Sequence, residues 1–418
     1  MKVSISWSKI EIMAINSKRA KDIDAYIKSH ESCIKGKQKV EVGGKIKPLD
    51  SFMIPWNMLL FNHDNGRFNI EIQEYEFKLG RKLDPASKDD EAIIRKLLLF
   101  QSVTSDENDL SELNNEGKKL YEDLLLVGEQ REVAHITSDG IVVNGNRRMA
   151  ALQLLNKKQP TGKWKELWAV RLPEDISEKD LWKIEAGLQL SKQKVADYGP
   201  IHNLLMIAEG KKAGLSPSEI AASMYGWNEK KVLEDLERLN LIDIFLQFIH
   251  QVGNYGLIDK KGLSEHFINL QKGLVQKSKD LGWPKKVLTQ KLEIVFLFLK
   301  ATIDKPDKLK IGHLDVRDIC KILQDDNASS VLTDTFKEHK DLKKITVEKL
   351  SENLDTANDV MKNKKDKEKP TILIKRAITA LNGIDRKGDH YKTDEKVKRE
   401  LKALDLIVIE MKKELGIK

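Results

Sequence analysis

The chain has 418 residues, 40% hydrophobic and 33% charged, with 73 Lys+Arg against 65 Asp+Glu and a formal net charge of +8. At about 150 residues per domain this suggests two or three folded units, and the apolar fraction excludes a disordered chain. No apolar run reaches the roughly 18 residues of a membrane span. Residues 1–10 lack an uninterrupted apolar stretch of the kind that directs secretion, so an intracellular protein is expected. Cys33 and Cys320 stand far apart with no zinc-type spacing, which argues against a disulfide scaffold or a structural zinc. Residues 340–418 hold 21 basic and 15 acidic side chains, six of the eight net charges. Such a surplus fits nucleic-acid contact, and equally a Lys-rich solvated helix surface.

In chain order, residues 17–28 read as helix and residues 40–54 as short extended pieces broken at Gly43-Gly44. Residues 91–101 are helical, and 102–115, with Asp106, Glu107, Asp109 and Glu112, form a polar loop. A second helix, 117–126, ends at Gly128. Residues 133–136 and 140–143 are two β-type runs around Ser138-Asp139-Gly140, where Asp-Gly favours the positive φ of a hairpin turn. From about residue 177 nearly everything reads as helix. Strands gathered near the N-terminus with helices after them predict an α+β domain followed by mostly α-helical domains. Residues 361–370, M-K-N-K-K-D-K-E-K-P, have no apolar interior and read as a linker.

The most informative stretch is Gly140-Ile141-Val142-Val143-Asn144-Gly145-Asn146-Arg147-Arg148-Met149-Ala150-Ala151-Leu152. A strand runs into Asn144-Gly145, turns, and enters a helix. Gly145 permits a backbone angle that a bulky residue resists. The new helix offers N–H groups and a positive dipole end, and Arg147 and Arg148 add forked donors suited to phosphate oxygens. The corner is either a phosphate cradle or a strand–turn–helix bend whose arginines are simply solvated or paired with acidic neighbours.

Gly145-Asn146-Arg147-Arg148-Met149-Ala150-Ala151 resembles the G-E-R-R-x-x-A box of ParB-like partition proteins, whose N-terminal fold is shared more distantly with sulfiredoxin. Gly128-Glu129-Gln130-Arg131-Glu132-Val133 is similar to the family's G-x-x-x-P-I segment, with Glu132 in place of the proline. Asn65-Gly66-Arg67-Phe68, after Ile54-Pro55, is similar to its N-P-R-like segment. The family's third segment, E-N-x-Q-R, falls at Ile184-Glu185-Ala186-Gly187-Leu188-Gln189-Leu190, where Glu185 and Gln189 match with a one-residue slip and the Asn and Arg are missing. The resemblance implies that Gly145, Asn146, Arg147, Arg148, Glu185 and Arg67 hold the phosphates of CTP or another nucleoside triphosphate with Mg2+. The degraded third segment, and Asn146 in place of the family's Glu, imply slow or absent hydrolysis.

A helix–turn–helix follows. Residues 201–209 form a helix with Ile201, Leu204, Leu205 and Ala208 on one face. In Gly214-Leu215-Ser216-Pro217-Ser218-Glu219-Ile220-Ala221-Ala222, Ser216 is an N-cap, Pro217 suits the first helical position, and Glu219 completes a capping box. Tyr225-Gly226-Trp227 makes the turn, and Asn228 caps a second helix over 229–239 with Val232, Leu233, Leu236 and Leu239 as its core stripe. That helix would bring Asn228, Lys230 and Lys231 to the major groove, with Ser216 a further candidate DNA contact and Glu234, Asp235 and Glu237 opposing contact farther along. A purely packing role for the helical hairpin is the alternative. The module also follows the ParB-like order, L-S-x-x-E-I-A, turn, capped helix, and the resemblance covers roughly residues 54–243.

Residues 241–339 show amphipathic helices in which Leu292, Ile294, Val295, Phe296 and Phe298 are core, Trp283-Pro284 starts a helix, and His250, His266 and His313 have no partner at metal spacing. Near the end, Val397, Leu401, Leu404, Val408, Met411 and Leu415 make a heptad seam just short of three heptads. With Ile374, Ala377, Leu381 and Ile384 it suggests a helical hairpin that also serves a homodimer.

Four units are therefore expected: 1–192, a ParB-like phosphate- or nucleotide-binding domain; 193–250, a helix–turn–helix binding duplex DNA; 251–360, a helical domain; and 361–418, a basic linker and helical dimerisation segment. No bound metal and no membrane partner are expected, and the resemblance implies a cytoplasmic, nucleoid-associated protein that works as a nucleotide-gated clamp on DNA. The alternatives are an enzyme on the same fold (a nuclease, nucleotide hydrolase or phosphotransferase of a mobile-element or phage-defence locus) and a transcription regulator with a vestigial cradle.

Overall fold

The computed structural model describes residues 16–62, 69–191, 199–224, 226–338, 345–365 and 370–417. Six strands form one mixed sheet: β1 (Ile34–Val42), β2 (Lys45–Pro55), β3 (Leu60–Phe61), β4 (Ala134–Ile136), β5 (Ile141–Asn144) and β6 (Glu166–Arg171), in the order β1-β2-β6-β4-β5-β3. β1/β2, β2/β6 and β4/β5 are antiparallel, while β4/β6 and β3/β5 are parallel. The hairpin expected at Ser138-Asp139-Gly140 joins β4 to β5, with Gly140 at φ 85°. β3 and β6 were not legible in the sequence: β3 is two residues long, and β6 follows the turn at Gly162 without an alternating pattern.

Side chains alternate across the sheet as the period of two requires. Ile54, Ala134, Ile136, Val142, Leu167 and Ala169 face one core with α1 (Ser17–Ser29), α2 (Asn69–Leu79), α3 (Lys88–Leu99), α4 (Asn115–Val127) and α5 (Asn146–Lys158). Val40, Val42, Val143, Val170 and Leu172 face the opposite side, where Ile184 of α6 (Glu178–Ser191) covers them. α5 is sandwiched, with Met149 through Leu155 buried. Its buried Gln153 donates to Glu91 at 2.8 Å and accepts from Arg95 at 3.1 Å, and Arg95 pairs with buried Glu107 at 2.9 Å. The polar loop read from the sequence is thereby tied to the core by a satisfied network.

α6 also turns Trp182 and Ala186 toward the next three helices, α7 (Pro200–Lys212), α8 (Pro217–Ser223) and α9 (Glu229–Phe248). Trp182 Nε1 donates to the Met206 carbonyl at 2.9 Å. α9 does not stop at 239 but runs to Phe248, because Leu241, Ile242, Phe245 and Leu246 continue its stripe into a larger helical core. Ile201, Leu204 and Leu205 of α7 join that core with Phe267, Phe296 and Phe298, so one apolar interior crosses residue 250. Phe245 meets Phe267 and Phe296 edge-on at 5.5 and 5.3 Å.

The linker expectation is corrected over its first half. Helix Val347–Lys365 runs through 361–365, with Met361 packed against the core. The expectation of a packed C-terminal hairpin is corrected too: helices Pro370–Asn382 and Glu395–Glu414 contain no buried residue, and Ile374, Val408 and Met411 are 41%, 40% and 39% exposed. Two short helices without a third layer cannot enclose a core, so each keeps its apolar face in solvent. Among the described residues no helix is long and apolar enough to cross a membrane.

Candidate functional site

The β5–α5 corner is built around Gly145, which caps α5 in the left-handed region at φ 113°. A Cβ placed there would stand 2.7 Å from the Ala134 Cβ on β4. Conformation and close strand approach thus both require glycine. The cap contributes no side-chain hydrogen bond, so the first turn of α5 starts without the oxygen that Ser, Thr or Asp would supply.

The structure assigns the expected phosphate-binding side chains different tasks. Asn146 is buried: its Oδ1 accepts from the Asn62 N–H at 2.9 Å, and its Nδ2 donates to the Val142 carbonyl at 2.8 Å. Arg148 donates to the Glu132 carbonyl and, at 2.8 Å, to Asn144 Oδ1, tying α5 to β5 and to the segment before β4. Arg147 reaches toward Glu116 in the first turn of α4 at 3.8 Å, with 22% of its side chain exposed. Such a long, half-solvated contact is worth little. Asn146 and Arg148 therefore shape the corner, while Arg147, in the first turn of α5, is turned toward α4.

Glu185 lies in α6, whose neighbour Ile184 packs against Val143, two residues before Gly145. Gln189 falls in the same helix. Arg67 lies outside the described residues. Sequence reasoning missed Glu116, Glu132, Asn144 and Asn62 as partners of this corner. Only Glu132 carried a local signal, as the residue replacing a proline.

In the helix–turn–helix, Ser216 and Glu219 form the expected capping box, which holds the Glu219 carboxyl below the usual range through the Ser216 N–H and hydroxyl. Asn228 caps α9, its Oδ1 accepting from the Lys231 N–H at 2.8 Å. The Lys231 ammonium sits 3.7 Å above the Trp227 ring, and Trp227 Nε1 donates to buried Asp235 at 3.0 Å. Lys230 is 85% exposed and only 4.0 Å from Glu234.

One expectation is corrected here. Leu233, placed in the core stripe, is 49% exposed, because Val232 and Leu239 already fill the buried face. With Glu229, Lys230, Glu234, Glu237, Gln276 and Lys279 it lines an open groove of about 570 Å³. The outward face of α9 carries two carboxylates, Glu234 and Glu237, beyond its first turn.

No family model, curated protein or solved structure matches this chain.

Proposed function

We propose that the chain is a ParB-like DNA-binding protein. In this reading the β5–α5 corner holds a phosphate group of a nucleoside triphosphate, and the α7–α9 unit engages duplex DNA. The observation that carries it is the corner itself: a glycine-capped helix with no side-chain cap and Arg147 in its first turn, its neighbours Asn146 and Arg148 hydrogen-bonded into the fold. A helix N-terminus with fixed cationic donors suits an anionic oxygen. Its supply of donors fits one phosphate group better than a whole triphosphate chain, so nucleotide affinity rests on Arg147.

The DNA half rests on the capped first turn of α9, where Asn228, Lys230 and Lys231 stand at the end of the helix that faces a groove in helix–turn–helix proteins. The acidic residues farther along restrict contact to that turn. A homodimer through the 397–415 seam completes the proposal, because among the described residues nothing buries that face.

A second reading is a regulator with a purely structural corner. It is favoured by the use of Asn146 and Arg148 inside the fold. Equilibrium binding of labelled CTP, ATP, GTP and UTP, with and without duplex DNA, separates the two. Absence of binding for every nucleotide removes the phosphate role, and absence of duplex binding removes the DNA role.

A further inference from the structure

We propose that the β1–β2 hairpin, at one edge of the sheet, is a docking surface for the phosphate backbone of duplex DNA; this rests on the reading that the protein binds DNA.

The charge distribution is the first observation. Residues 34–50 hold Lys35, Lys37, Lys39, Lys45 and Lys47 against Glu41 and Asp50, a surplus of three positive charges. Residues 1–339 together have a surplus of only two, since six of the eight net charges lie beyond them. The hairpin is thus a local basic element in a region otherwise close to neutral.

The second observation is that these charges are uncommitted. All five lysines are exposed, and among the described residues none forms an ion pair or a side-chain hydrogen bond. Asp50 lies directly across from Lys37 in the register, and even that pair does not close. Elsewhere lysines pair readily, as Lys78 and Lys260 do with Glu74, Lys82 with Glu76 and Lys157 with Glu107.

Geometry then favours a polymer of phosphates. Among the described residues β1 pairs only with β2, so its outer N–H groups form an edge of the sheet. Lys37 and Lys39 lie two residues apart, about 6.7 Å along an extended strand. That is about twice the 3.4 Å rise per phosphate of one DNA strand. Lys45 and Lys47 stand across from Val42 and Val40, on the opposite face from Lys37 and Lys39. Positive charge on both faces of an edge suits a phosphate row lying along it, to which backbone N–H groups also donate. A bilayer would be met by one face only.

α6 ties this edge to the helix–turn–helix. Ile184 packs under Val40 and Val42, while Trp182 and Ala186 pack against Ile220 and Val232. Both surfaces are therefore mounted on one helix.

Lysines on an edge strand also guard against edge-to-edge aggregation, and the test must separate the two roles. The variant K35Q/K37Q/K39Q/K45Q/K47Q and its all-Arg counterpart are compared with the unaltered chain by anisotropy of a labelled duplex across a salt series, with light scattering in parallel. The Gln variant should lower the log–log salt slope by about 0.9 for each phosphate it no longer neutralises, up to about 4.5 units for the five, while the Arg variant keeps it. If the unaltered chain binds duplex and the Gln variant keeps its affinity and slope, with or without aggregating, the hairpin proposal is overturned and the DNA reading stands. If the unaltered chain binds no duplex, both fall. Tighter binding of the unaltered chain to phosphatidylserine vesicles than to duplex, abolished in the Gln variant, overturns the proposal in favour of a membrane surface.

Discussion

A methyl group on Gly145 would lie 2.7 Å from the Ala134 Cβ, so the turn that opens α5 is closed against the neighbouring strand as well as bent through a left-handed angle. Gly145→Ala therefore meets two separate penalties. Backbone strain costs about 1–2 kcal/mol and overpacking roughly 1–3 kcal/mol. Adding Ala134→Gly should recover only the second part. Denaturant midpoints of the two single variants and the double variant check this, and full recovery in the double variant would show that the left-handed backbone costs nothing.

Adjacent residues at the corner should fail in different ways. Asn146→Ala leaves the Asn62 N–H and the Val142 carbonyl without their partner, costing about 1–3 kcal/mol of stability. Arg147→Ala gives up a 3.8 Å contact with Glu116 and should cost less stability than Asn146→Ala. It should weaken nucleotide binding by roughly 1.5–3 kcal/mol, the worth of a hydrogen bond to a charged group. Calorimetric titration and thermal melts on the same two proteins test the pair. The reverse assignment of effects would falsify the division of labour.

For the helix–turn–helix, Asn228→Ala removes the α9 cap and should cost about 1 kcal/mol of stability. Replacing both Lys230 and Lys231 by Ala should lower the log–log salt slope on duplex DNA by about 1 to 2 units. Lys231 also loses its place on Trp227, so Lys231→Ala should cost about 0.5–1 kcal/mol of stability and Lys230→Ala almost none. A salt slope unchanged by the double substitution makes the unit a packing module.

Acid should destabilise the helical region through His266. Its Nε2 donates to the Ile311 carbonyl at 2.9 Å, and burial, the largest cause, pushes its pKa below the usual value, with His313 acting in the same direction and Glu265 and Asp315 opposing. The unfolded chain then binds more protons than the folded one below about pH 6.5. Stability is full above that pH and falls as pH drops toward the lower folded value. His266→Gln should flatten stability between about pH 7 and 5. An unchanged pH profile would assign the acid sensitivity to other groups.

The C-terminal helices should be separable from the core. Ending the chain at Lys365 removes no buried residue among those described beyond that point, so the main transition should move by less than about 0.5 kcal/mol. The full chain should be dimeric by light scattering, and Val408→Glu within the seam monomeric. A monomeric full chain refutes the seam as a dimer contact.

Local chemistry alone determined the α4 stop at Gly128, the Asp139-Gly140 hairpin, the Ser216–Glu219 capping box, the Asn228 cap and the Gly145 corner. Each depends on a few adjacent residues and on backbone angles that only certain side chains allow. Tertiary structure decided the rest. β6 became a strand by pairing with β2 and β4, and α9 was extended by a core that also contains α7. Leu233 went to the surface once Val232 and Leu239 had filled the buried face. At the candidate site the same division holds: Arg147 and Arg148 read alike in sequence. Contacts with distant Glu116 and Glu132 turn one toward α4 and tie the other to the segment before β4, because partners far along the chain leave no periodic trace beside either arginine.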